Sequence, residues 1–327
     1  CIASIVEKVF AKQMIKRASE LGILHENQGG FLRYRSIGSL VNKLRLAIFK
    51  EPENNFQSLC ATDLSNAFGS SEVDLIIECM TNLFSPLALR FLRSFLAQSK
   101  VYIEAHGETS KPFITSPRGY PQGSTLSPLL FLILMSKTHD NIFGDNMFSF
   151  ADDNNIIASN KDDKLHINSA KNALNCFVKF CGDFSLKINA SKTFFTKIRR
   201  NRTRPESNLT LKIDDTFLNH VDQINMLGIK MDKSLQFNPH FSNFLSKIKS
   251  RCSQIKRYIS KCHKDFCRVL ILSFLYGSMS HGLQYVTFPS RKYCRSYNAV
   301  INNTLRVRFT SKLEKYNAEN LFVFVPQ

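Results

Sequence analysis

The decapeptide "FADDNNIIAS", Phe150 to Ser159, sets two aspartates side by side with apolar residues on both flanks. Carboxylates favour water while Phe and Ile favour the core. With "MFSFA" before the pair and "NNIIAS" after it, the segment reads as strand, turn, strand, because Asp tolerates the tight backbone of a hairpin. Upstream, "SLCATDLSNAF" (Ser58 to Phe68) is short and apolar up to Asp63, like a buried strand that runs into a loop or helix. If these strands are neighbours in one sheet, Asp63, Asp152 and Asp153 converge at its edge. An isolated Asp-Asp would be an ordinary exposed turn. Three convergent carboxylates are instead a donor set for a hard cation such as magnesium, which takes one or two protein carboxylates plus substrate phosphates. A pair of such ions serves both the attacking and the leaving oxygen of an in-line phosphoryl displacement.

Around this centre, "IVEKVFAKQMIKRASELGIL" has apolar residues at helical spacing (Ile5, Val9, Phe10, Met14) and stops near Gly22. "SLVNKLRLAIFK", "SEVDLIIECM" and "PLALRFLRSFLAQ" read as further helices, and "VYIEAHGETSKPFITS" as a hairpin with His-Gly near its tip. A Gly/Pro-rich loop then feeds an apolar helix through "RGYPQGSTLSPLLFLILM". Beyond the hairpin, Ile167, Ala170, Leu174, Phe177 and Val178 mark one helix face, "SLKINASKTFFTKI" and "QINMLGIKMD" look like strands, and the chain is helical and basic from Asn238 onward. Strands and helices mix without regular alternation, which points to an α+β fold. No P-loop or GxGxxG string is present.

Composition sets the outer limits. The 327 residues are 43% apolar and 21% charged, and their 28 Phe and absent Trp make Phe the main packing residue of a folded protein. No secretory signal opens the chain, and the longest apolar run, Leu126 to Met135, is too short to cross a bilayer, so we expect an intracellular protein with no membrane partner. The chain begins with Cys1 inside an amphipathic pattern, as a piece of a longer reading frame would. Nine Cys lack the spacing of a zinc module or disulfide framework and read as reduced thiols; "CHKDFC" (Cys262 to Cys267) comes nearest to a metal box. The first 186 residues carry 19 Lys+Arg against 18 Asp+Glu, the remainder 25 against 8. Runs such as "KIRRNRTR" and "KIKSRCSQIKRYISKCHK" suit a polyanion, since each cation at a phosphate releases a counterion.

In chain order stand "GGFLRYRS" (Gly29 to Ser36), "ATDLSNAF" (Ala61 to Phe68), "GYPQGSTLSPLLF" (Gly119 to Phe131), "FADD" (Phe150 to Asp153), "LKINASKT" (Leu186 to Thr193) and "MLGIKMD" (Met226 to Asp232). With these strings the sequence resembles, nearly end to end, the reverse transcriptases of non-LTR, LINE-type retrotransposons of the jockey-like group. The resemblance implies a right-hand polymerase: residues 1–57 partial fingers, 58–237 palm with interleaved fingers elements, 238–327 a basic helical thumb and the region after it. It implies an RNA-directed DNA polymerase that extends a DNA primer on an RNA template from deoxynucleoside triphosphates. Two magnesium ions, with manganese able to substitute, would be bound by Asp63 and Asp152, with Asp153 in support. It further implies Phe68 as a steric gate against the 2′-hydroxyl, Gln122 and Gly123 in the loop under the incoming nucleotide, and Arg35 on the triphosphate. Lys192 would protonate or neutralise the leaving pyrophosphate. Met226, Leu227 and Gly228 would form a primer grip, and Phe150 would pack near the primer end. An endonuclease domain is expected elsewhere in the full-length protein, and a retroelement ribonucleoprotein in nucleus and cytoplasm.

Three departures stand out. The family's usual "AFD" reads "AFG", with Gly69 in place of an aspartate that helps hold the loop; "GFRPGRS" reads "GFLRYRS", leaving Arg35 in register but Leu32 and Tyr34 out of pattern; and we expect the beginning of the fingers to be cut off, since the family carries a "PISL"-like segment just before the position of Cys1. They keep open an inactive, degenerate retroelement domain that only binds RNA. An RNA-dependent RNA polymerase would show "GDD" and no aromatic gate, against Ala151 and Phe68 here.

Overall fold

The computed structural model describes residues 2–97, 100–114, 118–139, 144–201, 203–235, 237–259, 261–270, 273 and 291–305. In chain order, α1 (Ile2–Glu20), β1 (Gln28–Gly29) and α2 (Ile37–Lys50) lead to β2 (Phe56–Thr62), β3 (Leu64–Ser65) and the single turn α3 (Ala67–Ser70). Two helices, α4 (Val73–Met80) and α5 (Pro86–Phe95), precede four short strands: β4 (Lys100–Val101), β5 (Glu104–Ala105), β6 (Glu108–Thr109) and β7 (Phe113–Ile114). These pair β4 with β7 and β5 with β6, and His106 and Gly107 turn the tip at φ 54° and 81°, so the His-Gly hairpin forms as read. Then come α6 (Leu126–Thr138), β8 (Met147–Phe150), β9 (Asp153–Asn160), α7 (Asp163–Asp183), β10 (Lys187–Ile188), β11 (Phe194–Ile198), β12 (Lys212–Ile213), β13 (Thr216–Phe217) and β14 (Asn219–His220).

The main sheet has strand order β1-β8-β9-β2-β11-β14, antiparallel through its centre and parallel at both edges. Its registers line up Met147, Ile156, Cys60 and Phe195 across four strands, all on one face by the period of two. All four belong to one buried cluster with Leu174 and Phe177 of α7 and with Leu129 to Met135 of α6. The α6 run is buried on every side of the helix, the pattern of a core helix rather than a surface one. Each such Leu or Phe contributes about 1.5–3 kcal/mol by leaving water. Helix α2 packs against β1 and β8 with Leu40, Val41, Leu44 and Ile48, and Ser36 opens it through a reciprocal capping box with Ser39.

On α7, Ala170, Leu174 and Phe177 are buried as the spacing predicts, whereas Ile167 and Val178 are half-buried. The same helix buries His166, whose Nε2 and Nδ1 lie 3.0 and 3.3 Å from the Ser58 and Ser207 hydroxyls. Burial holds this imidazole below its ordinary pKa despite the opposing charge of Asp163, so it serves as a neutral joint between α7 and β2.

The chain divides into two compact units, 1–222 and 223–327. The division falls after Asp222, whereas the resemblance implies a palm-to-thumb boundary at 237/238. The second unit contains the hairpin β15 (Gln223–Met226) and β16 (Ile229–Asp232), turned by Leu227 and Gly228 at φ 53° and 84°, followed by α8 (Asn238–Ile259), α9 (Lys264–Leu270) and α10 (Arg291–Leu305). Phe244, Ile248, Cys252 and Ile255 of α8 share a core with Cys267, Tyr297 and Ile301, while Lys247, Lys249, Arg251 and Arg257 face outward. The helical continuation expected after Leu305 lies outside the described residues.

Candidate active site

The β2–β9 ladder runs from Phe56↔Asn160 to Thr62↔Asn154. One step further in that register stand Asp63 and Asp153. Phe150 pairs with Asp153 across the β8–β9 hairpin, leaving Ala151 and Asp152 as a two-residue turn, with Ala151 at φ 57°. Asn154 holds the turn: its side-chain amide donates to the Asp152 carbonyl at 2.9 Å, and the Thr62 hydroxyl donates to the Asn154 carbonyl at 3.3 Å. The edge expected from the sequence therefore forms, with its three aspartates together.

Asp63 is fixed from the other side. The Asn189 amide donates to the Asp63 carbonyl at 2.8 Å, the Asp63 amide to the Thr193 hydroxyl at 3.3 Å, and that hydroxyl to the Asn189 carbonyl at 2.8 Å. Together with the Leu64↔Ile188 pairing, these bonds seat the tight turn Ala190–Lys192 beside Asp63 and leave Lys192 exposed there.

Burial, the charge of Asp152 and then that of Asp63 all push the Asp153 carboxyl above its ordinary pKa. The carboxylates thus repel one another across the turn, a repulsion that a divalent cation relieves. Among the described residues no group of three or more His, Cys, Asp or Glu side chains is arranged to hold a metal ion without other donors. An open, all-oxygen set with room for substrate phosphates fits magnesium or manganese better than zinc. A stability consequence follows. A raised native pKa means that ionising Asp153 works against the fold at neutral pH, a penalty absent below the ordinary carboxyl value of 3.8. Without metal, Asp153→Asn should raise Tm at pH 7 by about 1–3 °C, since the turn is open to solvent. The gain should vanish in melts below the ordinary carboxyl pKa; an unchanged Tm at pH 7 would contradict the repulsion.

A cleft of about 220 Å³ is lined by Phe68, Pro121, Gln122, Gly123, Ser124, Ser127 and Pro128. Phe68 is half-buried and packs in a cluster with Phe131 (tilted, 4.9 Å between centroids) and edge-on with Tyr120 (5.9 Å) and Phe31 (6.4 Å), so a core contact and a cleft wall are the same ring. The loop docks on the turn after β3 through Gly119 N–H to the Ser71 carbonyl and Tyr120 N–H to the Phe68 carbonyl, both 2.7 Å. A Cβ at Gly119, where φ is +79°, would stand 2.5 Å from the Phe68 carbonyl oxygen. Gly119 thus permits a close approach of the two backbones, while Gly123 has open space around it and serves its φ of +83° instead. At Gly69, Asn66 occupies the missing side chain's place: a Cβ would lie 2.5–2.8 Å from the Asn66 amide atoms. The Gly69 amide and the Ser70 hydroxyl bond the Asn66 carbonyl at 2.9 and 2.8 Å, so the turn is held without an aspartate.

Arg35, expected on the triphosphate, is bonded within its own loop. Its guanidinium donates to the main-chain carbonyls of His25, Gln28 (2.6 Å) and Leu24 (3.0 Å), closing the loop after α1, and Arg33 is the exposed guanidinium of that stretch. Phe150 is half-buried with its ring on Gly29. Met226 is buried, and Leu227 and Gly228 form the hairpin tip of the second unit. Sequence reasoning missed Asn66, Asn189, Thr193 and Glu7, whose carboxylate caps α6 from α1. Their partners are distant in sequence or main-chain, and no local spacing signals them.

A family model described as reverse transcriptase (RNA-dependent DNA polymerase) matches residues 1–231. The chain is 22% identical over 276 residues to the probable RNA-directed DNA polymerase from transposon BS of Drosophila melanogaster, and 21% identical over 318 residues to the RNA-directed DNA polymerase from mobile element jockey of the same fly. These matches take in 80% and 93% of this chain but 29% and 34% of those proteins, so the chain spans about a third of the relatives' length. Apo telomerase from Candida tropicalis superposes with a TM-score of 0.50 at 12% identity, over 92% of this chain and 54% of that one, which places the fold among the right-hand polymerases. A match across more than two thirds of the chain, containing the whole acidic edge, settles its membership: the chain belongs to the reverse transcriptase family.

Proposed function

We propose that this chain is the polymerase portion of a non-LTR retrotransposon protein, extending a DNA primer on an RNA template from deoxynucleoside triphosphates. The observation that carries this reading is the meeting of Asp63, Asp152 and Asp153 at one edge of the sheet. Asp63 and Asp152 would hold magnesium or manganese, with Asp153 in support; when bound, the metal supplies charge neutralisation on the phosphates and lowers the pKa of the primer hydroxyl. Lys192, exposed on the turn tied to Asp63, is placed to give a proton or a charge to departing pyrophosphate. Gln122 and Gly123 form the floor beneath the nucleotide, and Phe68 walls it at the sugar. Arg35 would have to exchange its loop carbonyls for phosphate, or act by holding the loop that bears Arg33. Phe150 in the first unit would pack near the primer end; in the second unit the tip Met226, Leu227 and Gly228 would act as a primer grip, and the basic face of α8 would follow a duplex by its phosphates. We place the activity in a retroelement ribonucleoprotein of nucleus and cytoplasm; no helix among the described residues is long and apolar enough to cross a membrane.

The test is primer extension on an RNA template with a DNA primer, deoxynucleotides and magnesium, in which templated products are expected. Salt-sensitive RNA binding without extension would favour an inert relic, and extension of an RNA primer by ribonucleotides alone would favour an RNA polymerase. Substituting Phe68→Val should relax sugar choice, raising ribonucleotide incorporation relative to deoxynucleotide by about 10–100-fold, the range of one steric contact in a pocket. An unchanged ratio removes the gate from Phe68 and leaves it a core ring.

A further inference from the structure

We propose that Glu7 is a positioning residue for nucleotide binding, clamping the downstream end of the 119–125 loop from α1 so that Gln122 and Gly123 stand fixed in the cleft. The inference rests on the polymerase reading above. One Glu7 carboxylate oxygen accepts from the Ser124 hydroxyl, from the Thr125 amide and, at 3.1 Å, from the Leu126 amide. These amides open α6, where a helix has unpaired N–H groups and a partial positive charge. Thr125, the residue at the cap position, makes no side-chain cap bond of its own. Ser124 instead accepts from the Leu126 and Ser127 amides at 3.0 and 3.2 Å, so Ser124 and Glu7 cap the helix together.

The other end of the loop is already pinned, by Gly119 to Ser71 and Tyr120 to Phe68. In between, the Ser127 hydroxyl donates to the Pro121 carbonyl at 2.6 Å. Gln122 and Gly123, both exposed, lie between the two fixed ends. Fixing a residue's backbone costs roughly 1–2 kcal/mol of conformational entropy, and a loop clamped at both ends meets that cost before the ligand arrives. Burial works to raise the Glu7 pKa, but Ser124, the Leu126 and Thr125 amides and nearby Lys8 outweigh it, keeping the carboxylate charged.

The test is amide hydrogen exchange on the whole chain, followed by steady-state primer extension. In Glu7→Ala the amides of Thr125 and Leu126 should exchange at least about tenfold faster, with the increase reaching Gln122 and Gly123. The KM for deoxynucleotide should rise about tenfold, the scale of a lost charged hydrogen-bond set, while kcat changes by less than about threefold. Glu7→Gln, which keeps an oxygen acceptor, should restore part of both. Unchanged exchange over 122–126 overturns the clamp, as does an unchanged KM in a chain that extends primers. If the wild-type chain extends nothing, the polymerase reading falls while exchange still judges the clamp. If Glu7→Ala does not fold, Ser124→Ala decides: it should raise exchange and KM to a smaller degree, and no change in either overturns the proposal.

Discussion

Replacing Asp152 with Asn should cut primer extension about a thousandfold or more while the chain melts within about a degree of wild type. The asymmetry comes from where the side chain stands. Asp152 is exposed on a two-residue turn, and the bond that holds the turn uses its main-chain carbonyl, not its carboxylate. The substitution is isosteric and leaves that bond in place, so folding loses little. Function loses a full charge at the edge where Asp63 and Asp153 also meet. If the carboxylate positions a cation that stabilises the transition state by ~4 kcal/mol, its removal costs about three powers of ten in rate. Asp63→Asn should do the same, since its main chain is likewise tied down independently of the carboxylate. Asp153→Asn should cost less, because it supports rather than leads. Extension by Asp152→Asn within tenfold of wild type would remove it from the chemistry.

The largest stability effect is expected at Gly119. A methyl group there would be driven to 2.5 Å from the Phe68 carbonyl oxygen and 2.7 Å from the Gly69 Cα, both main-chain atoms that have nowhere to go. The left-handed φ adds about 1–2 kcal/mol of strain for any residue with a Cβ. Gly119→Ala should therefore destabilise by roughly 2–4 kcal/mol, lowering Tm by about 5–12 °C. It should also loosen both 2.7 Å bonds that dock the loop, moving Gln122 away from Phe68. Thermal melts of the metal-free chain check the first effect, and the KM for deoxynucleotide checks the second. A Tm unchanged within about 2 °C would show that the turn and loop do not press together as described.

The parts of this architecture that the sequence displays are those governed by periodicity. Leu126 to Met135 is apolar on every side and becomes the most enclosed helix, and the alternation around Asp152 and Asp153 becomes β8 and β9. The acidic edge is legible because strand ends and a hairpin tip leave little choice about where their aspartates go. What sequence does not display is bonding between distant residues and bonding to main-chain atoms. Glu7 lies 119 positions from Leu126, Arg35 spends its guanidinium on carbonyls rather than on phosphate, and Asn66 fills the space over Gly69 by folding back on its own turn. The last of these bears on activity. The aspartate missing from "AFG" leaves no hole, because Asn66 supplies both bulk and main-chain bonds at that corner. The boundary after Asp222 was equally hidden, since "QINMLGIKMD" reads as a hairpin whichever body it packs against.

We propose that Asp63 and Asp152 make this sheet edge a metal site for nucleotidyl transfer. It is tested most directly by counting bound Mn2+ with electron paramagnetic resonance, on the chain assembled with an RNA template, a DNA primer and a non-hydrolysable deoxynucleotide. Two ions per complex are expected in the wild type, with the loss of at least one in the Asp63→Asn, Asp152→Asn double variant. Equal counts in the two proteins would contradict it.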